Sequence, residues 1–128
     1  MSELPFGLLA HSGEDSPHWI EEGCFIQEIL NHPLAKSSIA RARVPIGGET
    51  RWHSVDVHEW YIIESGKGLM QLDFQDRFEV IKGMNVSIPP GTPQRIRNTG
   101  EQDLIFMCLC TPRFTAECYK SLEELDEG

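Results

Sequence analysis

The spacing of glycine and proline is what most limits the folds open to this chain. Breakers fall at 45–48, at Gly66 and Gly68, at Gly83, from Pro89 to Pro93, and at Gly100. Between them lie short runs rich in Val, Ile, Phe, Trp and Tyr. Strands of that length with turn signals at such intervals define an all-β sandwich or barrel. The pattern predicts strands at 25–29, 38–44, 51–55, 59–64, 69–74, 77–81, 86–88, 94–98 and 104–111. No internal repeat, low-complexity stretch or linker interrupts them.

The faces of these strands differ. Residues 69–74 and 77–80 alternate apolar with polar around a turn near Gln75 and Asp76, so that hairpin is expected to be wet on one side. Residues 60–63 and 104–110 are apolar on both sides and need cover on both. One cover is the barrel interior. The other is the N-terminal arm or a second subunit, because contiguous apolar surface is rarely left in water. A homodimer is the expectation. Outside the strands, residues 1–20 read as irregular, with Trp19 and Ile20 packing back on the barrel. Residues 121–125 read as a short amphipathic helix with Ser121 as N-cap.

Length and charge narrow the class. At 128 residues the chain fits one domain: an arm over about 1–22, a barrel over about 23–112 and a tail over about 113–128. The net charge of -9 argues against nucleic acid or an anionic membrane as partner. The acidic run 123–127 reads as a solvated end. No basic and apolar leader opens the chain and no apolar run reaches the ~20 residues that span a bilayer, so the expected setting is cytoplasmic and reducing. The four cysteines, Cys24, Cys108, Cys110 and Cys118, then read as buried thiols acting as small hydrophobes. They lack the Cys-x-x-Cys spacing of structural zinc sites. The alternative is that one of them, Cys108 above all, lines a ligand pocket.

Two stretches carry motif-level information. The first places Gly47, His53, Glu59 and Gly66 at fixed spacing; the second places Gly83, Pro89, Gly91 and Asn98. Together they resemble the paired motifs of the cupin family. The resemblance covers roughly residues 40–111 and implies a double-stranded β-helix, or jelly-roll barrel. In that family the first motif supplies two histidines and a glutamate and the second a further histidine, all binding one metal. Here His53 and Glu59 match, while Val55 and Gln94 stand where two of the three histidines are expected.

Strand alternation sorts the candidates. If His53 points into the barrel, so does Val55. Glu59 and Tyr61 then line the same interior, with Gln94 and Ile96 opposite, and Arg95 and Arg97 face away. The resemblance implies a divalent ion (Fe, Mn, Ni or Zn) on His53, Glu59 and Gln94. Imidazole, carboxylate and amide oxygen suit such ions in kind, although an amide oxygen is a weak ligand. His58 could complete the set only if the chain near Asp56 and Val57 is irregular, since it precedes Glu59 and points the other way on a regular strand. Without metal, His53 reads as a hydrogen-bonded pocket histidine, Glu59 as a buried, paired carboxylate and Gln94 as a hydrogen-bond donor. Glu59, His53 and Tyr61 are the candidate catalytic groups; Gln94, Tyr61 and Cys108 are the candidate ligand contacts. His11, His18 and His32 read as surface residues.

The expectation is therefore a cupin that binds a small molecule at a mononuclear metal site. The resemblance implies oxygenase, isomerase or lyase chemistry. The alternative is a metal-free binding module, or a structural or regulatory dimer without turnover. Phosphate-cradling loops, dinucleotide fingerprints and nucleophile elbows have no counterpart here.

Overall fold

The computed structural model describes residues 24–123, and the backbone alone of three short strands before them. In chain order the strands are β1 (Ser2–Glu3), β2 (Leu9–Ala10), β3 (His18–Glu21), β4 (Cys24–Leu30), β5 (Ser38–Val44), β6 (His53–Val55), β7 (His58–Ser65), β8 (Lys67–Leu72), β9 (Phe78–Ile81), β10 (Asn85–Ile88), β11 (Gln94–Asn98), β12 (Leu104–Thr111) and β13 (Tyr119–Ser121). All nine strands expected between residues 25 and 111 form. The helical content among the described residues is little more than a 3-10 turn at Ala116–Cys118.

Two antiparallel sheets face each other. One runs β10-β7-β12-β5-β4-β3 and the other β13-β6-β11-β8-β9. Each crossing between sheets needs a sharp turn. At Gly66 a Cβ would lie 2.6 Å from the Asp103 carbonyl oxygen, and φ is +84°; only glycine meets both demands. Asn98 ties the far end. Its Nδ2 donates to the carbonyls of Val44 and Gln102, and its Oδ1 accepts from Gly100 N.

Between the sheets lies an apolar core of residues such as Val44, Ile63, Met70, Ile88, Ile96, Leu104 and Phe106, all essentially inaccessible. The long strands alternate cleanly. On β12, Leu104, Phe106, Cys108 and Cys110 point in, and on β7, Glu59, Tyr61 and Ile63 do. The opposite faces of these two strands carry Trp60 and Ile62 beside Met107 and Leu109, which register places side by side. That outer apolar patch is the surface the sequence required something to cover.

The ends depart from expectation. β3 pairs antiparallel with β4, so the arm is not wholly irregular and extends the six-stranded sheet. Ser121, expected to cap a helix, closes β13, which pairs with β6. Glu123, expected in a solvated end, accepts a hydrogen bond from Trp52 N at 2.7 Å. Residues 124–128 of the expected helix and acidic run, and His11, lie outside the described residues, as do the side chains of His18, Trp19 and Ile20. His32 is partly exposed and its ring takes a hydrogen bond from Leu34 N, a local turn contact.

Candidate functional site

Register builds the site in rows. Ser38, Cys110 and Glu59 pair in line across β5, β12 and β7. One step along, Glu28, Ala40, Cys108 and Tyr61 pair across β4, β5, β12 and β7. All of these side chains line one cavity of about 70 Å³, which His53 and Val55 enter from the other sheet. By the usual measure that is room for about five waters. The period-two reasoning holds: His53 shares its face with Val55, and Glu59 with Tyr61.

The polar groups on the floor form a directed chain. The Tyr61 hydroxyl donates to Gln94 Oε1 at 2.7 Å. Gln94 Nε2 donates to Glu59 Oε1 at 3.1 Å. The Cys110 thiol donates to Glu59 Oε2 at 3.7 Å. The amide orientation follows from its partners, since a phenol gives its proton to the oxygen and a carboxylate takes one from the nitrogen. Gln94 is fully buried, so satisfying both ends of its amide matters.

Burial sets the acid–base character of the floor. It pushes the Glu59 carboxyl from its ordinary 4.5 up to about 7, against smaller downward pulls from the hydrogen bonds of Gln94, Cys110 and Cys108. Burial, and then the neighbouring Glu59 charge, push the Cys108, Cys110 and Tyr61 protons well above their ordinary ranges. The thiols and phenol therefore stay protonated, and Glu59 alone among these floor groups exchanges a proton near neutral pH.

His53 stands beside Gln94, its register partner on β11. Its Nδ1 lies 2.6 Å from the Arg51 carbonyl oxygen. A carbonyl only accepts, so Nδ1 carries a proton. The ring stacks on Tyr119, with centroids 5.2 Å apart.

These donors do not fit a metal centre as arranged. The Gln94 amide oxygen is committed to Tyr61 and its nitrogen faces Glu59. His58, considered as a further ligand, is turned to the outer face, where it hydrogen-bonds Ser87 Oγ at 2.8 Å and meets the Trp60 ring. Regular alternation on β7 puts it there, and Asp56 is exposed as well. Among the described residues no group of three or more His, Cys, Asp or Glu side chains is placed to hold an ion.

Sequence reasoning missed part of the wall. Phe114 and Tyr119, beyond the last long strand, and Glu28 and Asn31, before the motifs, all line the cavity. Phe114 is held there by its backbone: its N–H donates to Ser38 Oγ at 2.8 Å and its carbonyl accepts from Asn31 Nδ2 at 2.9 Å. Glu28 was within reach, since it shares the inward face of β4 with Cys24 and Ile26. Asn31 and Phe114 sit in irregular chain, and Tyr119 opens a strand of three residues, too short for periodicity to mark a direction.

The fold and the motif spacing define a class, the jelly-roll barrels with paired motifs on facing sheets. A cupin domain family model matches residues 40–110, and the chain belongs to the cupin family. It is 38% identical over 112 residues to the uncharacterized protein MJ1618 of Methanocaldococcus jannaschii, an alignment covering 84% of this chain and 88% of that one. Among solved structures it resembles Bacillus subtilis oxalate decarboxylase (TM-score 0.77, 18% identity, 88% of this chain) but spans only 31% of that chain. It also resembles a cupin-like protein of Thermotoga maritima (TM-score 0.68, 18% identity, 80% of each chain). A Streptomyces PAC13 variant solved with uridine is a further likeness (TM-score 0.73, 15% identity, 89% of each chain).

Proposed function

We propose that this cupin binds a small organic molecule in its lumen without a metal ion, and that Glu59 is the acid–base group that meets it. The carrying observation is the Tyr61–Gln94–Glu59 chain. It uses the amide that a metal would need and fixes a carboxyl at the edge of an apolar cavity. A carboxyl poised near neutral pH is suited to move protons in either direction. Of the reaction classes that the resemblance implied, isomerase and lyase chemistry by proton transfer needs only such a group. The donor geometry gives no support to oxygenase chemistry at a bound ion.

Partners and setting follow the same reading. The strong negative charge favours a small molecule over a polyanion. Four buried cysteines, none of them in a disulfide, suit a reducing, cytoplasmic environment. The outer patch of Trp60, Ile62, Met107 and Leu109 is flanked by the oppositely charged pair Arg41 and Glu64. A two-fold copy would set each charge against its complement, and we take a homodimer as the working assembly. Size-exclusion mass near twice 14.5 kDa supports it, and a mass of 14.5 kDa refutes it.

The lumen reading is tested by titrating isobutanol into chelator-treated protein while recording methyl NMR spectra. Shifts confined to the lumen methyls of Ala40, Ala42 and Val55 support it. Unchanged lumen methyls together with binding restored by added metal would overturn it.

A further inference from the structure

The charge of the cavity wall goes further than its shape. No lysine or arginine lines the cavity among the described residues, whereas two carboxylates do, Glu28 and Glu59. They come from adjacent inward rows of one sheet, since Glu28 registers through Ala40 and Cys108 to Tyr61, two residues along β7 from Glu59. Among the described residues no cation pairs with Glu28, although three arginines elsewhere, Arg41, Arg43 and Arg77, do pair with acids. The lining group able to carry positive charge is His53, whose Nδ1 proton is already given to the Arg51 carbonyl.

Four aromatic rings stand among the aliphatic and thiol side chains of the wall. Tyr61 and Phe106 stack with centroids 4.4 Å apart, and Phe114 and Tyr119 line the same cavity. Ring faces carry negative charge density and attract a desolvated cation within about 6 Å. Two carboxylates and aromatic rings, with no lysine or arginine among the described lining residues, form a surface complementary to positive charge. An anionic ligand would meet two like charges with no lysine or arginine to offset them. A neutral one would use the apolar wall and leave the acids uncompensated.

We infer that the lumen selects small organic ammonium ions over neutral or anionic molecules of the same shape. The ammonium group lies between Glu28 and Glu59, and its short apolar chain lies against Phe106 and Phe114. Room for about five waters sets the scale at about five non-hydrogen atoms. The inference rests on the lumen reading above and adds the sign of the ligand. It also explains Glu28, which neither family motif contains. Glu28 recognises the cation at the outer row, while Glu59 meets it at the floor. A bound cation stabilises the ionised form of Glu59, in line with the direction expected for a carboxylate gaining an opposite charge.

The test uses three probes of one shape and different charge: isobutylammonium, isobutanol and isobutyrate. Each is titrated into the full chain at pH 8, and binding is read from the Ala40 and Ala42 methyl resonances. The expected result is that isobutylammonium binds at least about ten-fold more tightly than isobutanol, and that isobutyrate binds weakest, ten-fold being well within one close charge contact near a protein surface. Glu28→Gln should cut the preference for ammonium over alcohol several-fold. Glu28 is half-buried with no ion partner among the described residues, so the variant is expected to fold. Equal binding of ammonium and alcohol, within two-fold, overturns the cation inference and leaves the lumen reading standing. An unaltered preference in Glu28→Gln overturns the role of Glu28. Absence of binding by all three overturns both.

Discussion

Replacing Glu59 by glutamine should change how stability depends on pH, and by an amount the structure sets. Folding moves this carboxyl from 4.5 to about 7 because it is taken out of water. The folded state thus prefers the protonated form. The contribution of Glu59 is fully present below pH 4.5 and is lost as pH rises through 7. At about 1.4 kcal/mol per pH unit the loss amounts to about 3 kcal/mol by pH 8. Glutamine occupies the same volume, offers an oxygen to the Gln94 amide and does not titrate. Urea unfolding of the parent and of Glu59→Gln at pH 5, 6, 7 and 8 isolates the effect, because all other titrating groups are common to both. Glu59→Gln should gain about 2–3 kcal/mol on the parent between pH 5 and pH 8, or about 10 °C in melting temperature for a chain of this size. A constant difference across that range would refute the assignment of Glu59 as a desolvated acid. A difference running the other way would mean that a hidden cation holds the carboxylate ionised.

Two further substitutions test the frame around that acid. Tyr61→Phe leaves Gln94 Oε1 without its donor in a fully buried position; it should cost about 1–3 kcal/mol in urea unfolding, and a loss below a few tenths would mean that the chain is not structural. Asn98→Ala removes bonds to Val44, Gln102 and Gly100 in one step; it should cost about 3 kcal/mol without altering the Glu59 midpoint, and a moved midpoint would tie the site to the far turn.

Most of the architecture was legible because it depends on local rules. Glycine and proline placed the turns, and alternation assigned an inward side to His53, Val55, Glu59, Tyr61, Gln94 and Ile96 correctly. The doubly apolar runs at 60–63 and 104–110 announced both the core and the exposed patch. The conflict over His58 was decided by the same alternation, since β7 is regular where an irregular turn was needed. The purpose of Gln94 was less legible. A glutamine at a ligand position can offer its oxygen to an ion or its nitrogen to a carboxylate, and only the position of the Tyr61 hydroxyl decides between them. Phe114 and Tyr119 were out of reach for another reason. Their direction is set by hydrogen bonds to Asn31 and Ser38 and by stacking on His53, contacts between residues far apart in sequence. The ends were misjudged because short strands such as β3 and β13 gain their stability from a neighbour, not from their own composition.

The most direct test of a metal-free lumen acid is the side-chain carboxyl titration of Glu59. It is followed by carbon-13 NMR, with Glu59→Gln to identify the resonance, in untagged protein before and after chelator treatment. The account predicts one midpoint near 7, the same in both samples. A midpoint below about 5 as isolated that rises on chelation would contradict it, because a bound ion is what holds a carboxylate ionised.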